Sequence, residues 1–314
     1  MSFASDVKQE VSLNEWSKDE MRACLSALLQ LTSSLSISNR GIALICKTEN
    51  AAVSRTMYRM CKDLYDVEIV PSVKRRMNLK KNLIYRLRLE GNVKDILKDL
   101  GIYSNRGLLD KPLQKVVQKD GAARAYLAGA FMAEGSVNAP TTTNYHLEIK
   151  CPSESYADFL IKLLDRFFIP AKKIERRGHY IVYGKSADKI ADFLRVIGST
   201  ECLLEFEDVR ISRDLSSNIT RLNNVDVANE MKSMQAAKKQ LEDIEILKEL
   251  NQFQYLPDKL KEIANIREEN PDSSLNELCD LYYRRSGENL SKSGIKHRFV
   301  KIHEFREKME KDKL

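Results

Sequence analysis

The chain carries the same pattern twice, and a duplicated pattern constrains a fold more tightly than composition does. CLSALLQLTSSLSI (Cys24 to Ile37) lies over YLAGAFMAEGSVNA (Tyr126 to Ala139), with Leu25 on Leu127, Ala27 on Gly129, Leu31 on Ala133 and Ser34 on Ser136. The next stretches of the two copies agree in outline. IALICKTENAAVSRTMYRMCKDLYDV and YHLEIKCPSESYADFLIKLLDRFFIP each read as a short strand, a polar turn and an amphipathic helix. Basic, strand-like segments come next. Each half closes on a helix ending in glycine, at Gly101 and Gly198, a residue that suits a left-handed helix C-cap. Each half therefore reads helix, strands, helix, strands, helix. Two such α+β halves, 1–103 and 104–209, should pack with pseudo-twofold symmetry.

After Gly198 the character changes. Residues 210–254 read as a polar, basic linker that becomes helical from about Val225. Arg210, Arg213 and Arg221 are either solvated or spaced for weak phosphate contact, and Leu241, Ile244 and Leu247 recur at helical spacing, as packing residues do. Residues 255–314 read as a small all-α domain. Pro257 opens a first helix with Leu260, Ile263, Ala264 and Ile266 as its stripe, and Pro271 stops it. Ser274 with Glu277 forms a capping box for a second helix. Ile295, Phe299, Ile302 and Phe305 are the inner face of a third.

Several classes of protein are disfavoured. No run of about 18 apolar residues occurs, so no membrane span is expected, and the first residues lack the basic and apolar blocks of a secretory signal. The six cysteines are scattered without a C-x-x-C pair, which suggests neither zinc nor a disulfide framework but reduced, buried thiols. No metal or cofactor is expected. The net charge of +7 is modest, but its distribution is informative. Ser72 to Arg88 holds seven Lys/Arg and no acid, and Arg284 to Lys301 holds six against Glu288 alone. Acid-poor runs in two domains favour a polyanion, because clustered cations gain from counterion release.

The last two helices have the form of a helix-turn-helix, whose third helix would present its N-terminal residues to base edges in the major groove. Ser291, Lys292, Ser293, Gly294, Lys296, His297, Arg298 and Lys301 lie at or near that end. Lys292, Lys296 and His297 fall outside the apolar stripe. The competing reading is a three-helix protein-interaction module with a solvated basic face. Arg75, Arg76, Lys80 and Lys81 are either further backbone contacts or a solubilising hairpin.

LAGAFMAEG (Leu127 to Gly135) resembles the LAGLIDADG motif of homing endonucleases. That resemblance implies two helices packed through small residues, each ending in an acid that binds divalent metal. Glu134 takes the acid position in the second copy. Thr32 takes it in the first, and Thr lacks the charge to replace a carboxylate beside a hard cation. A wider resemblance covers nearly the whole chain. MSFASDVKQE, TENAAVSRTMYRMCKDLYDVEI, RAYLAGAFMAEGSVNAP, YHLEIKCPSE, LLEFEDVRISRD and SKSGIKHRFVKI are similar to the WhiA family of bacterial regulators of sporulation and cell division. It implies a degenerate two-repeat LAGLIDADG domain joined to a C-terminal helix-turn-helix, acting on DNA in transcription, division or chromosome segregation. Two features depart from that pattern. The family commonly has Gly where this chain has Glu134. The turn in YYRRSGENL is longer than usual, which leaves Arg284 and Arg285 as either a backbone clamp or loop residues.

The expectation is a non-enzymatic regulator of double-stranded DNA, with Glu134 a vestige. It should be a cytoplasmic, nucleoid-associated monomer without a membrane partner, with a second regulatory protein as a further candidate partner. The rivals are an active endonuclease, which needs Glu134 to work with an acid from another segment, and a protein adaptor whose DNA binding is incidental.

Overall fold

A computed structural model describes residues 2–38, 41–75, 83–105 and 107–311. The chain divides into two compact units, one up to Arg213 and one from Asp214. In the first, helix α1 (Phe3–Val11) precedes the repeats. The first repeat comprises α2 (Lys18–Thr32), β1 (Ser33–Ser38), β2 (Gly41–Thr48), α3 (Ala51–Leu64), β3 (Glu68–Arg75), β4 (Leu83–Glu90) and α4 (Val93–Asp99). A two-stranded ladder of β5 (Tyr103–Ser104) and β6 (Gly107–Leu108), then a 3-10 turn at Gln114–Val117, lead into the second. That repeat comprises α5 (Asp120–Glu134), β7 (Gly135–Val137), β8 (Leu147–Cys151), α6 (Glu154–Asp165), β9 (Lys172–Arg176), β10 (His179–Gly184) and α7 (Ala187–Val196). The sheets share one antiparallel order, β1-β2-β4-β3 and β7-β8-β10-β9. The fold is α+β and duplicated.

The repeat helices explain the small residues. Each is 15 residues long, and Thr32 and Glu134 are the last residues of α2 and α5. A helix that is apolar all round belongs in a core, and α5 is buried from Ala122 through Met132 except at Arg124. It packs on α2 at close range: a Cβ built on Gly129 would lie 3.0 Å from the Cys24 carbonyl carbon and 3.1 Å from the Ala27 Cβ. Gly is therefore the residue that lets the two backbones approach. The closing glycines also match. Gly101 and Gly198 have φ of +68° and +76°. In each case the next residue donates back into the helix, Ile102 to Leu97 and Ser199 to Leu194, both at 3.0 Å, completing the same C-terminal motif twice.

The segment read as a linker is different. Helix α8 runs unbroken from Thr200 to Glu249 and does not begin near Val225. Its 50 residues contain neither Gly nor Pro, so the polar stretch has nothing to stop it. The Glu10 carboxylate starts the helix by accepting from Ser199 Oγ (2.6 Å) and from the backbone N–H of Glu201 (2.7 Å) and Cys202 (3.0 Å).

In the second unit, α9 (Asp258–Glu269), α10 (Leu275–Ser286) and α11 (Lys292–Lys311) follow a 3-10 turn at Phe253–Tyr255. Their core contains Ile263, Leu278, Tyr282, Ile295, Phe299 and Ile302, and also Ile244 and Leu247 of α8. The helical core thus begins before residue 255, because α8 supplies one wall of it. Two polar clusters hold that wall. Arg267, buried, donates to Gln240 Oε1 (3.0 Å) and to the Ser273 carbonyl (2.6 Å), with its guanidinium 5.6 Å from the Phe299 ring centroid. Asp243, also buried, lies 2.9 Å from His303 Nδ1 and accepts from Arg306 Nε at 3.0 Å.

Candidate nucleic-acid interface

Helix α11 is built for one face in and one face out. Ile295, Phe299 and Ile302 are buried, while Ser293, Lys296, His297, Val300 and Lys301 are exposed at spacings that share the opposite face. Ser291 caps the helix by accepting from the Gly294 N–H at 3.2 Å, and its hydroxyl lies 2.9 Å from that of Ser293. Lys292 is exposed at the first helical position. A capped N-terminus with hydroxyls, followed by two lysines and a histidine, carries the donors and positive charge that suit phosphate and base edges.

Not every residue expected there is free. Arg298 is half-buried, with its guanidinium 4.6 Å from the Tyr282 ring centroid and Nη1 donating to the Lys259 carbonyl at 3.3 Å. It orients α11 against α9 and α10. Gly294 sits under Leu290, whose Cγ would lie 3.2 Å from an added Cβ, so Gly there serves packing. Arg284 and Arg285 are in the last turn of α10, not in a loop, and the turn proper is Gly287–Ser291. The two differ. Both are exposed, but Arg285 donates to both oxygens of Glu269 at 3.0 and 2.8 Å.

The first unit offers a second basic surface. In β4 the core takes Leu87 and Leu89, so Arg86 and Arg88 point to the other face. Across the strands Arg86 pairs with Lys47 on one side and Ser72 on the other. Arg86 Nε is buried without a hydrogen-bond partner, and Arg88 pairs with Glu90. In the second sheet Lys150, Lys172 and Arg176 occupy the matching open face, with His179 opposite Arg176. Of the four residues expected in this unit, Arg76, Lys80 and Lys81 lie outside the described residues. Arg75 ends β3 opposite Leu83. Sequence reading counted Arg86 and Arg88 in the basic run Ser72–Arg88 without naming them as contacts, and it did not include Lys47, although LIYRLRLE alternates arginine with leucine and so signals a strand with one cationic face. Arg210 and Arg213 are spent internally. Arg210 pairs with Asp188 at 2.7 Å, and Arg213 donates to the carbonyls of Pro140 and Thr142, both at 2.7 Å.

At the end of α5, Glu134 opens into a cavity of about 860 Å³ shared with Lys8, Lys47, Thr48, Tyr85 and Ser136. Burial raises the Glu134 pKa, and Lys150, Lys8 and His179 oppose the rise. Burial brings the Lys8 amine down to about 8, with Glu134 opposing. The Thr32 hydroxyl donates to the Leu28 carbonyl at 2.6 Å. A divalent cation wants several hard oxygen ligands. Here Glu134 faces cationic neighbours, the other carboxylate in the cavity wall is Glu49, and no cluster of three His, Cys, Asp or Glu exists among the described residues. This donor set does not fit such an ion.

Comparison with known proteins gives the same arrangement. Residues 18–103 match the WhiA N-terminal LAGLIDADG-like domain, residues 123–216 the WhiA LAGLIDADG-like domain, and residues 219–306 the WhiA C-terminal HTH domain. The chain is 42% identical over 309 residues to the probable cell division protein WhiA of Ligilactobacillus salivarius, covering 98% of this chain and 97% of that one. It is 43% identical over 309 residues to the protein of that name from Enterococcus faecalis, covering 98% of each. Full-length WhiA from Thermatoga maritima has the same fold, with a TM-score of 0.61 at 23% identity, covering 98% of this chain and 99% of that one. With family models matched over both repeats and the C-terminal domain, and relatives matched along nearly their whole length, the chain belongs to the WhiA family.

Proposed function

We propose that the protein is a non-enzymatic, sequence-influenced DNA-binding regulator of cell division, in which α11 reads the major groove. The observation that carries this reading is the exposed row Ser293, Lys296, His297 and Lys301 on the face of α11 opposite its buried stripe. The relatives named as probable cell division proteins support the cellular role, and a part in chromosome segregation belongs to the same proposal. Lys292 and Arg284, exposed at the two ends of the turn, would hold phosphates. No membrane partner is invoked, since no helix among the described residues is long and apolar enough to cross a membrane. We place the protein on the nucleoid as a monomer.

The test is a comparison of specific and non-specific binding. After the bound sites have been mapped across the genome, Lys296→Ala and His297→Ala should each weaken binding to a mapped site by about 1–3 kcal/mol. Binding to random duplex should change far less. Equal loss on both DNAs would make these residues phosphate anchors and remove the reader helix from the mechanism.

The non-enzymatic part of the reading rests on the donor set at Glu134. Glu134, with Thr32 at the matching position and lysines beside it, is a poor holder of the ions that would activate water.

A further inference from the structure

Helix α1 packs on α3, and the chain is pinned where α1 ends. The Ser12 carbonyl accepts from Thr56 Oγ1 at 3.3 Å and from Arg59 Nη2 at 3.1 Å. The next side chain, Leu13, is left 66% exposed on that anchored backbone. Leu13 lines a cavity of about 570 Å³ with Tyr58 and Pro71, both also exposed, and with the buried Leu87. Arg55 and Arg59, four residues apart on one face of α3, line it too, and none of its lining residues is an Asp or Glu. Arg55 is exposed and makes no hydrogen bond or ion pair among the described residues.

The groove lies away from the basic face of the first sheet. Pro71 and Leu87 are paired across β3 and β4 and so share a face, the one opposite Arg86 and Arg88. Counted from the helix caps Asn50 and Ser153, Arg55 corresponds to Asp158 of α6, which is paired with Lys173 at 2.7 Å. The unpaired cation at this point is therefore particular to the first repeat. A mainly apolar cleft with room for one or two side chains, bordered by two guanidinium groups and no carboxylate, complements an apolar anchor with acids beside it. β3 is the outer strand of its sheet, but Pro71 has no N–H to give, so an occupant is held by its side chains and not as an added strand.

We propose that the groove between α1, α3 and β3 is a docking site for an acidic peptide segment of another protein. An aromatic or aliphatic anchor of that segment seats on Leu13 and Tyr58, and its carboxylates pair with Arg55 and Arg59. Arg59 is already oriented by the Ser12 carbonyl, so little freedom is lost when it donates to a carboxylate. A segment seated there leaves the face of Arg86 and Arg88 open.

The test uses the full-length chain and short fluorescein-labelled peptides in which one Trp or Leu is flanked by Asp and Glu, read by fluorescence anisotropy. Control peptides carry Gln for the acids or Ala for the anchor. The acidic, anchored peptides should bind about tenfold or more tightly than either control, and less tightly as salt rises. Arg55→Gln should weaken that binding about threefold and Arg55→Glu about tenfold, since a like charge then faces the peptide. Leu13→Asp should weaken it about tenfold, and Leu13→Met should keep most of it. Arg55 and Leu13 are exposed, so these changes spare the core. Affinity for random duplex should stay the same in every variant. The proposal is overturned if the acidic peptides bind no better than the controls, or if Arg55→Glu and Leu13→Asp leave their affinity unchanged. It is overturned as well if Arg55→Gln lowers affinity for duplex and spares the peptides, which would make the groove a phosphate contact.

Discussion

Gly129 shows how much a single position decides. The α2–α5 contact brings its Cα so near the Cys24 carbonyl that one methyl group has no room. Both backbones are buried, so neither can move aside cheaply. Gly129→Ala should destabilise the first unit by about 1–3 kcal/mol through overpacking, despite the better helix propensity of alanine. Trp16, the one tryptophan of the chain, lies in this unit, so its fluorescence in urea isolates the effect from the second unit. An unchanged or raised midpoint would mean that the helices do not pack this closely. The sequence had flagged Gly129 through its alignment with Ala27, but alignment could not give the distance. The same limit applies at Arg298, which reads as a candidate DNA contact and turns out to stack on Tyr282. Basic residues look alike in sequence, and only their neighbours say which are spent.

Among the elements, α8 is the one whose extent sequence reading missed. Patterning located its apolar end, Ile244 and Leu247, because burial there imposes a helical period. It did not locate the start: Ile211, Leu215, Ile219, Leu222 and Val225 recur at helical spacing, but they are exposed, and no buried face marks the helix there. The start depends on Glu10, which is remote in sequence. Burial alone would raise the pKa of that carboxylate, but hydrogen bonds from Ser199, Cys202 and Glu201 outweigh burial and hold it below the usual value of 4.5. A folded pKa below the unfolded one stabilises the fold above the unfolded value, and that contribution is lost as pH falls through the folded one. Glu10→Gln should therefore cost about 0.5–2 kcal/mol at neutral pH, as a lost N-cap does. The gap between variant and wild type should close as the pH falls below 4.5. Urea titrations at several pH values check this, and a constant gap would show that charge on Glu10 plays no part.

For the molecule as a whole, the question is whether the protein cuts DNA or only binds it. Neither the wild-type chain nor Glu134→Gln should nick supercoiled plasmid in magnesium, because a Glu134 carboxylate beside lysines and matched by Thr32 does not gather the ions that in-line displacement needs. Nicking by the wild type that disappears in Glu134→Gln would make the protein a nuclease. DNA affinity, by contrast, should fall steeply as salt rises, since both candidate surfaces are lysine and arginine faces.

The duplication, the order of elements in each repeat, the capped helices of the C-terminal domain and the buried stripe of α11 were all legible in the amino-acid sequence. They are written in local periodicity, caps and glycines, and the α+β architecture follows from them. It took the folded chain to establish that Lys8 shares a cavity with Glu134, that Arg86 faces Lys47, that Glu10 starts α8, that Arg285 pairs with Glu269 at the surface and that Arg298 stacks on Tyr282. Those facts depend on which distant segments meet. A residue's charge is set by its own identity, whereas its availability is set by the partners that folding brings within a few ångströms.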